Sequence, residues 1–76
     1  MSISQAELAA RLRRARESAG LTQDQVGREL GISRSAVTLI ENGTRAVSSL
    51  ELDRLAFLFG RDIRDFFAVE DRKSVV

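Results

Sequence analysis

Glycines at positions 20, 31, 43 and 60 cut this sequence into short segments, and each segment repeats apolar residues at three- and four-residue spacing. Proline is absent and β-branched runs are almost absent, so nothing in the segments competes with helix. A helix is predicted from Gln5 to Ser18, opened by a Ser4/Glu7 capping box and lined on one face by Leu8, Leu12, Ala15 and Ala19. Gly20 stops it, and Leu21 is placed to fold back in a Schellman turn. A second helix spans Gln23 to Leu30, with a Thr22/Gln25 box and Val26 and Leu30 facing inward. A third begins after Ser33, buries Val37 and Ile40, and closes at "ENG", Glu41 to Gly43. The fourth runs from Ser49 to Phe59, with a Ser48/Glu51 box and a stripe of Leu52, Leu55, Ala56 and Phe59. A short fifth helix is predicted from Asp62 to about Val69, with Ile63, Phe66 and Phe67 facing in.

No one of these segments hides its own apolar face, so together they predict an all-α fold, a compact five-helix bundle around one core. The phenylalanines at 57, 59, 66 and 67 put the bulk of that core between the last two helices. Phe57 falls off the stripe and is a candidate for the surface or for a partner contact. The 76 residues form one domain, with a core over about residues 5–69 and a frayed tail, "EDRKSVV", over 70–76. Gly27 sits in mid-helix, where glycine costs about 1 kcal/mol relative to alanine, which suggests another helix crossing at close range.

Composition narrows the chemistry. With no cysteine and no histidine, there is no disulfide, no usual zinc site and no imidazole base. No nucleotide-binding glycine motif occurs, since "GISRSA" is not one, so an enzyme has almost no support and no metal or cofactor is expected. No apolar run reaches the roughly 18 residues needed to span a membrane, and "MSISQAELAARL" lacks the layout of a signal peptide. A cytoplasmic setting follows as the expectation. Eleven of the twelve basic residues are arginine, and from Arg11 to Arg45 seven arginines face four acids. That bias suits a polyanion, although solvated helix faces also carry arginines.

The informative stretch is "LGISRSAVTLIENG", Leu30 to Gly43. Only Gly31, Ile32 and Ser33 join the second and third helices, which is the spacing of a helix-turn-helix. Val37 and Ile40 point inward, so Arg34, Ser35 and Thr38 at the front of the third helix point out. The major groove of B-DNA admits one helix, and an arginine there can pair with both guanine O6 and N7. Thr22 and Gln23 open the second helix, where free N–H groups suit phosphate oxygens, and Asn42 and Arg45 follow the third. Each residue also has a plainer reading: Thr22 and Ser33 as caps, Gln23 as a helix former, Arg34 as a solvated surface residue, Asn42-Gly43 as a turn. Glu41 would repel DNA unless paired, and Arg16 is the candidate partner.

The run "RLRRARESAGLTQDQVGRELGISRSAVTLIENGTRAVSSLELDRLAFLFG" resembles the Cro/C1-type helix-turn-helix family of lambdoid phage repressors and many bacterial regulators. The match extends over about Gln5 to Phe67. The resemblance implies a lambda-repressor-like fold and a DNA-binding transcriptional regulator, foremost a repressor, acting as a homodimer on a near-palindromic operator. It gives Gln23 a phosphate contact and a bracing role. It gives Arg34, Ser35, Thr38 and Leu39 base reading, gives Asn42 a phosphate contact, and pairs Arg16 with Glu41. Gly27 stands where relatives usually have alanine. Val47 stands where many have proline, and Leu39 stands where some have a base-reading glutamine.

The loop variant is also similar to regulators that carry a further metallopeptidase-like domain, so a piece of a larger regulator and a stand-alone relative both stay open. Activation through RNA polymerase is a further option. The rival reading is a protein-interaction module such as an antitoxin, using Ile63, Phe66, Phe67, Val75 and Val76 as a partner groove or dimer seam. An exposed apolar patch there, without a basic face around Arg34, would favour it.

Overall fold

Four caps set where the helices begin. In a computed structural model that describes residues 3–67, Ser4, Thr22, Ser33 and Ser48 each accept a backbone N–H three residues on. The helices they open are α1 (Gln5–Ser18), α2 (Gln23–Leu30), α3 (Arg34–Glu41) and α4 (Ser49–Phe59). The Thr22/Gln25 and Ser48/Glu51 boxes are complete. The one at Ser4 is only half made. Ser4 Oγ accepts the Glu7 N–H at 3.1 Å, but the Glu7 carboxylate turns forward to Arg11 at 3.3 Å. After α1, the Leu21 N–H returns to the Arg16 carbonyl at 3.2 Å, as the Schellman turn requires.

α2 and α3 pack on each other across the short corner, α1 lies against α3 and α4, and α2 also meets α4. The core draws on all four helices: Leu12 and Ala15, Val26, Val37 and Ile40, and Leu52, Leu55 and Ala56. It is not centred on phenylalanines, because only Phe66 among them is fully buried. Phe57 is 89% exposed and Phe67 43%, while Phe59 packs at the edge. On α1 the buried residues are Ala9, Leu12 and Ala15, with Leu8 half-buried; Ala19 is exposed, because it is the C-cap and no longer on the helical stripe.

The fifth element is a single 3-10 turn, Ile63–Phe66, in place of the longer α-helix expected. The expected stretch beyond Phe67 and the frayed tail lie outside the described residues. At three residues per turn, Phe66 stacks over Ile63 and enters the core, and Phe67 swings out to solvent. Arg11 donates from Nη1 to the Phe66 carbonyl at 3.2 Å, which ties this turn to α1. Phe66 is therefore committed to the core and is no part of an open partner groove; Val75 and Val76 lie outside the described residues.

Two glycines build the corner. Gly31 sits at φ 73°, a left-handed conformation that costs other residues strain, and the Ile32 N–H closes back on the Gly27 carbonyl at 2.9 Å. A Cβ on Gly27 would lie 2.8 Å from the Ile32 carbonyl oxygen and 3.4 Å from Ser33 backbone atoms. The close approach is thus the corner's own backbone, not a crossing helix. Gly27→Val is expected to destabilise the domain by about 2 kcal/mol through overpacking, as measured by urea unfolding.

Candidate nucleic-acid interface

The interface begins with Arg16, in the last turn of α1. Its guanidinium grips Glu41 with two bonds, Nε to Oε2 at 2.6 Å and Nη2 to Oε1 at 3.2 Å, and donates from Nη1 to the Leu21 carbonyl at 2.8 Å. Glu41 ends α3, where the helix dipole disfavours a carboxylate, so the arginine offsets a local liability. The hydrogen bond to Glu41 raises the Arg16 pKa further above its usual value, against the opposing pull of burial. The two side chains are 12% and 7% exposed, so the glutamate shows little negative charge to a ligand.

The same carboxylate holds α2. Gln23 Nε2 donates to Glu41 Oε1 at 3.0 Å, and Gln23 Oε1 accepts the Thr38 hydroxyl at 3.0 Å. The Thr38 proton has one alternative, the Arg34 carbonyl one turn back, at 3.2 Å. A continuous hydrogen-bonded chain, Arg16–Glu41–Gln23–Thr38, therefore crosses three helices and fixes the front of α3 against the start of α2. One proton of the Gln23 amide remains for a ligand.

Arg34, Ser35, Thr38 and Leu39 are all exposed, on the face of α3 opposite Val37 and Ile40. The Arg34 guanidinium has no hydrogen bond or ion pair among the described residues, so its donors are open. Thr22 is spent on the α2 cap, as its plainer reading holds, while the next N–H groups of that helix start stay open to an acceptor. Asn42 uses its side-chain oxygen on the Thr44 N–H at 3.0 Å, which leaves its amide protons facing solvent.

Arg45 is placed differently. It forms a two-pronged pair with Glu51, at 3.2 and 3.1 Å. Periodicity gave no sign of this partner, since the two lie across a loop and Glu51 already serves the α4 cap by accepting the Ser48 N–H. The hydrogen bond from Arg45, then that from Ser48, holds the Glu51 carboxyl below its ordinary value of 4.5. A depressed folded-state pKa means a contribution present above the unfolded value and lost as pH falls through the folded one. The stability gap between wild type and Glu51→Gln is therefore expected to shrink in acid unfolding titrations below a pH of about 4.5. Arg28 is also compensated, by Asp24 at 3.2 Å, so Arg34 is the open guanidinium at the front of α3.

Among the described residues no group of His, Cys, Asp or Glu could hold a metal ion, and no helix is long and apolar enough to cross a membrane.

The model of the helix-turn-helix domain family matches residues 7–65. No curated protein sequence matches significantly. Among solved structures, the restriction-modification controller protein C.AhdI from Aeromonas hydrophila is 32% identical with a TM-score of 0.76, over 83% of this chain and 96% of that one. The clp gene regulator ClgR from Corynebacterium glutamicum is 26% identical with a TM-score of 0.78, over 82% of this chain and 66% of that one. The hypothetical transcription factor NHTF from Neisseria, at 20% identity, shares the fold with a TM-score of 0.79, over 97% and 86% of the two chains. With its corner, its part-buried Arg16–Glu41 pair and its open α3 front, the chain belongs to the Cro/C1-type helix-turn-helix family of DNA-binding transcriptional regulators.

Proposed function

We propose that this single domain is a repressor that binds a near-palindromic operator as a homodimer and occludes a promoter. The observation that carries this reading is the hydrogen-bonded chain from Arg16 to Thr38, which holds α3 rigidly while its front residues stay open. A rigid reader loses little entropy on docking. Arg34 is the main base reader, pairing with guanine O6 and N7. Ser35 donates or accepts, Thr38 offers its hydroxyl or methyl, and Leu39 packs on a thymine methyl. Gln23, the Thr22 end of α2 and the Asn42 amide meet phosphates.

Arg45 joins the phosphate contacts by exchanging Glu51 for the backbone, and its cost is that broken pair. The two α3 helices of the dimer enter successive major grooves about 34 Å apart. The partner is cytoplasmic duplex DNA, with RNA polymerase as a neighbour where the operator overlaps a promoter.

The test is a titration of labelled operator and scrambled duplexes at fixed salt. Arg34→Ala is expected to cost about 1–3 kcal/mol on operator and little on scrambled DNA, relaxing preference. Gln23→Ala is expected to weaken both more evenly. Full operator preference retained by Arg34→Ala would refute the assignment.

A further inference from the structure

The exposed face of α4 carries two large apolar side chains with no cover among the described residues, Leu50 at 68% exposure and Phe57 at 89%. They stand one heptad apart. Between them on the same face lie Asp53 and Arg54, both exposed, and neither side chain makes a hydrogen bond or ion pair among the described residues. Elsewhere some exposed charges do pair along their own helix, as Arg13 does with Glu17 on α1 and Arg28 with Asp24 on α2.

The order of the four residues is self-complementary. A two-fold axis passing midway between positions 53 and 54 sets two copies of α4 antiparallel. Leu50 of one copy then meets Phe57 of the other, and Asp53 meets Arg54, twice over. A closed two-fold contact demands this property, that one patch complement itself. The apolar pair at each end shields the charges at the centre, where opposite signs attract across the seam. A groove of about 580 Å³ opens beside Phe57, its wall shared between apolar Leu30, Leu58 and Ile63 and charged Glu29, Arg61 and Asp62, and gives the seam a mixed surface to extend onto.

We propose that the α4 face of Leu50, Asp53, Arg54 and Phe57 is the dimer seam, and that its occupant is the same face of a second copy. This deepens the dimer reading above and rests on it. All four side chains point away from the core, so substitutions here leave the fold intact; circular dichroism melts verify that.

Sedimentation equilibrium of the full chain, from micromolar to millimolar concentration, tests it. Phe57→Glu is expected to leave a monomer. Asp53→Arg sets like charges opposite each other and is expected to weaken dimerisation by at least about tenfold, and Arg54→Asp does the same with the opposite sign. The double variant Asp53→Arg/Arg54→Asp is expected to dimerise again. A mixture of the two single variants is expected to yield heterodimers, which mass spectrometry of the intact complex resolves. A dimer that ignores all these changes would overturn the seam while leaving the dimer reading in place. A wild-type chain that stays monomeric at every concentration would overturn both. Rescue by the charge swap is the result that a merely sticky phenylalanine, or a different protein as the natural occupant, does not produce.

Discussion

Glu41→Ala is expected to destabilise the domain by about 3 kcal/mol, as measured by urea unfolding, because it strands a mostly buried guanidinium. Arg16 is 12% exposed and loses two of its three bonds at once. The Leu21 carbonyl and the more distant Glu17 carboxylate, at 3.9 Å, then face the charge. The substitution also frees Gln23, whose amide loses its acceptor, and through it the Thr38 hydroxyl loses a fixed partner. Stability and DNA affinity should therefore fall together. The double variant Arg16→Met/Glu41→Leu separates them. It removes both charges, so unfolding stability is expected to return to within about 1 kcal/mol of wild type, as apolar replacements of buried ion pairs often do. Gln23 stays unanchored in that variant, so operator affinity is expected to stay low. Recovery of both properties would show that the pair serves the fold alone.

Phe66→Ala is the second large effect. Phe66 is 2% exposed and packs into the core from the 3-10 turn, which meets α1 and α4. Deleting a buried phenylalanine costs about 4 kcal/mol, from lost transfer energy and from the cavity left behind. A domain of this size holds roughly 4–11 kcal/mol in total, so the variant should be close to unfolded at ambient temperature. Phe57→Ala is the control. It removes the same chemical group from an 89% exposed site and is expected to change stability by less than about 0.5 kcal/mol.

The contrast between those two phenylalanines shows where sequence patterning succeeds and where it stops. The bounds of α1, α2 and α4 were legible because a polar cap opens each one and a glycine follows within two residues of the end. Ile63, Phe66 and Phe67 are spaced three and four apart, which fits an α-helix and a 3-10 turn equally well in so short a segment. The spacing alone therefore could not tell which phenylalanine turns inward. On α1, Ala19 continues the apolar count, but the chain has already left the helix there.

The candidate interface divides the same way. That Arg34, Ser35 and Thr38 face out follows from the burial of Val37 and Ile40 on the other side. The Arg16–Glu41 pair was suggested by the need to neutralise a glutamate close to DNA and by the family resemblance. The resemblance gave Gln23 a bracing role, and its bond with Thr38 fits that; its bond to Glu41 was not legible, since it depends on the angle at which α2 meets α3. Nor was the Arg45–Glu51 pair, which spans a loop with no period of its own. The self-matching order on α4 was in the sequence from the start, but it gains meaning only once α4 is seen to turn Leu50 and Phe57 to solvent.

Selection of bound duplexes from a random pool at fixed salt, run in parallel on wild type and Arg34→Ala, tests the α3 front most directly. The expected result is a near-palindrome with half-site centres about one helical turn apart for wild type, and loss of one guanine preference in each half-site for the variant. Recovery of no common sequence by wild type, or of the same sequence by both proteins, would contradict the reading that α3 presents Arg34 to the bases.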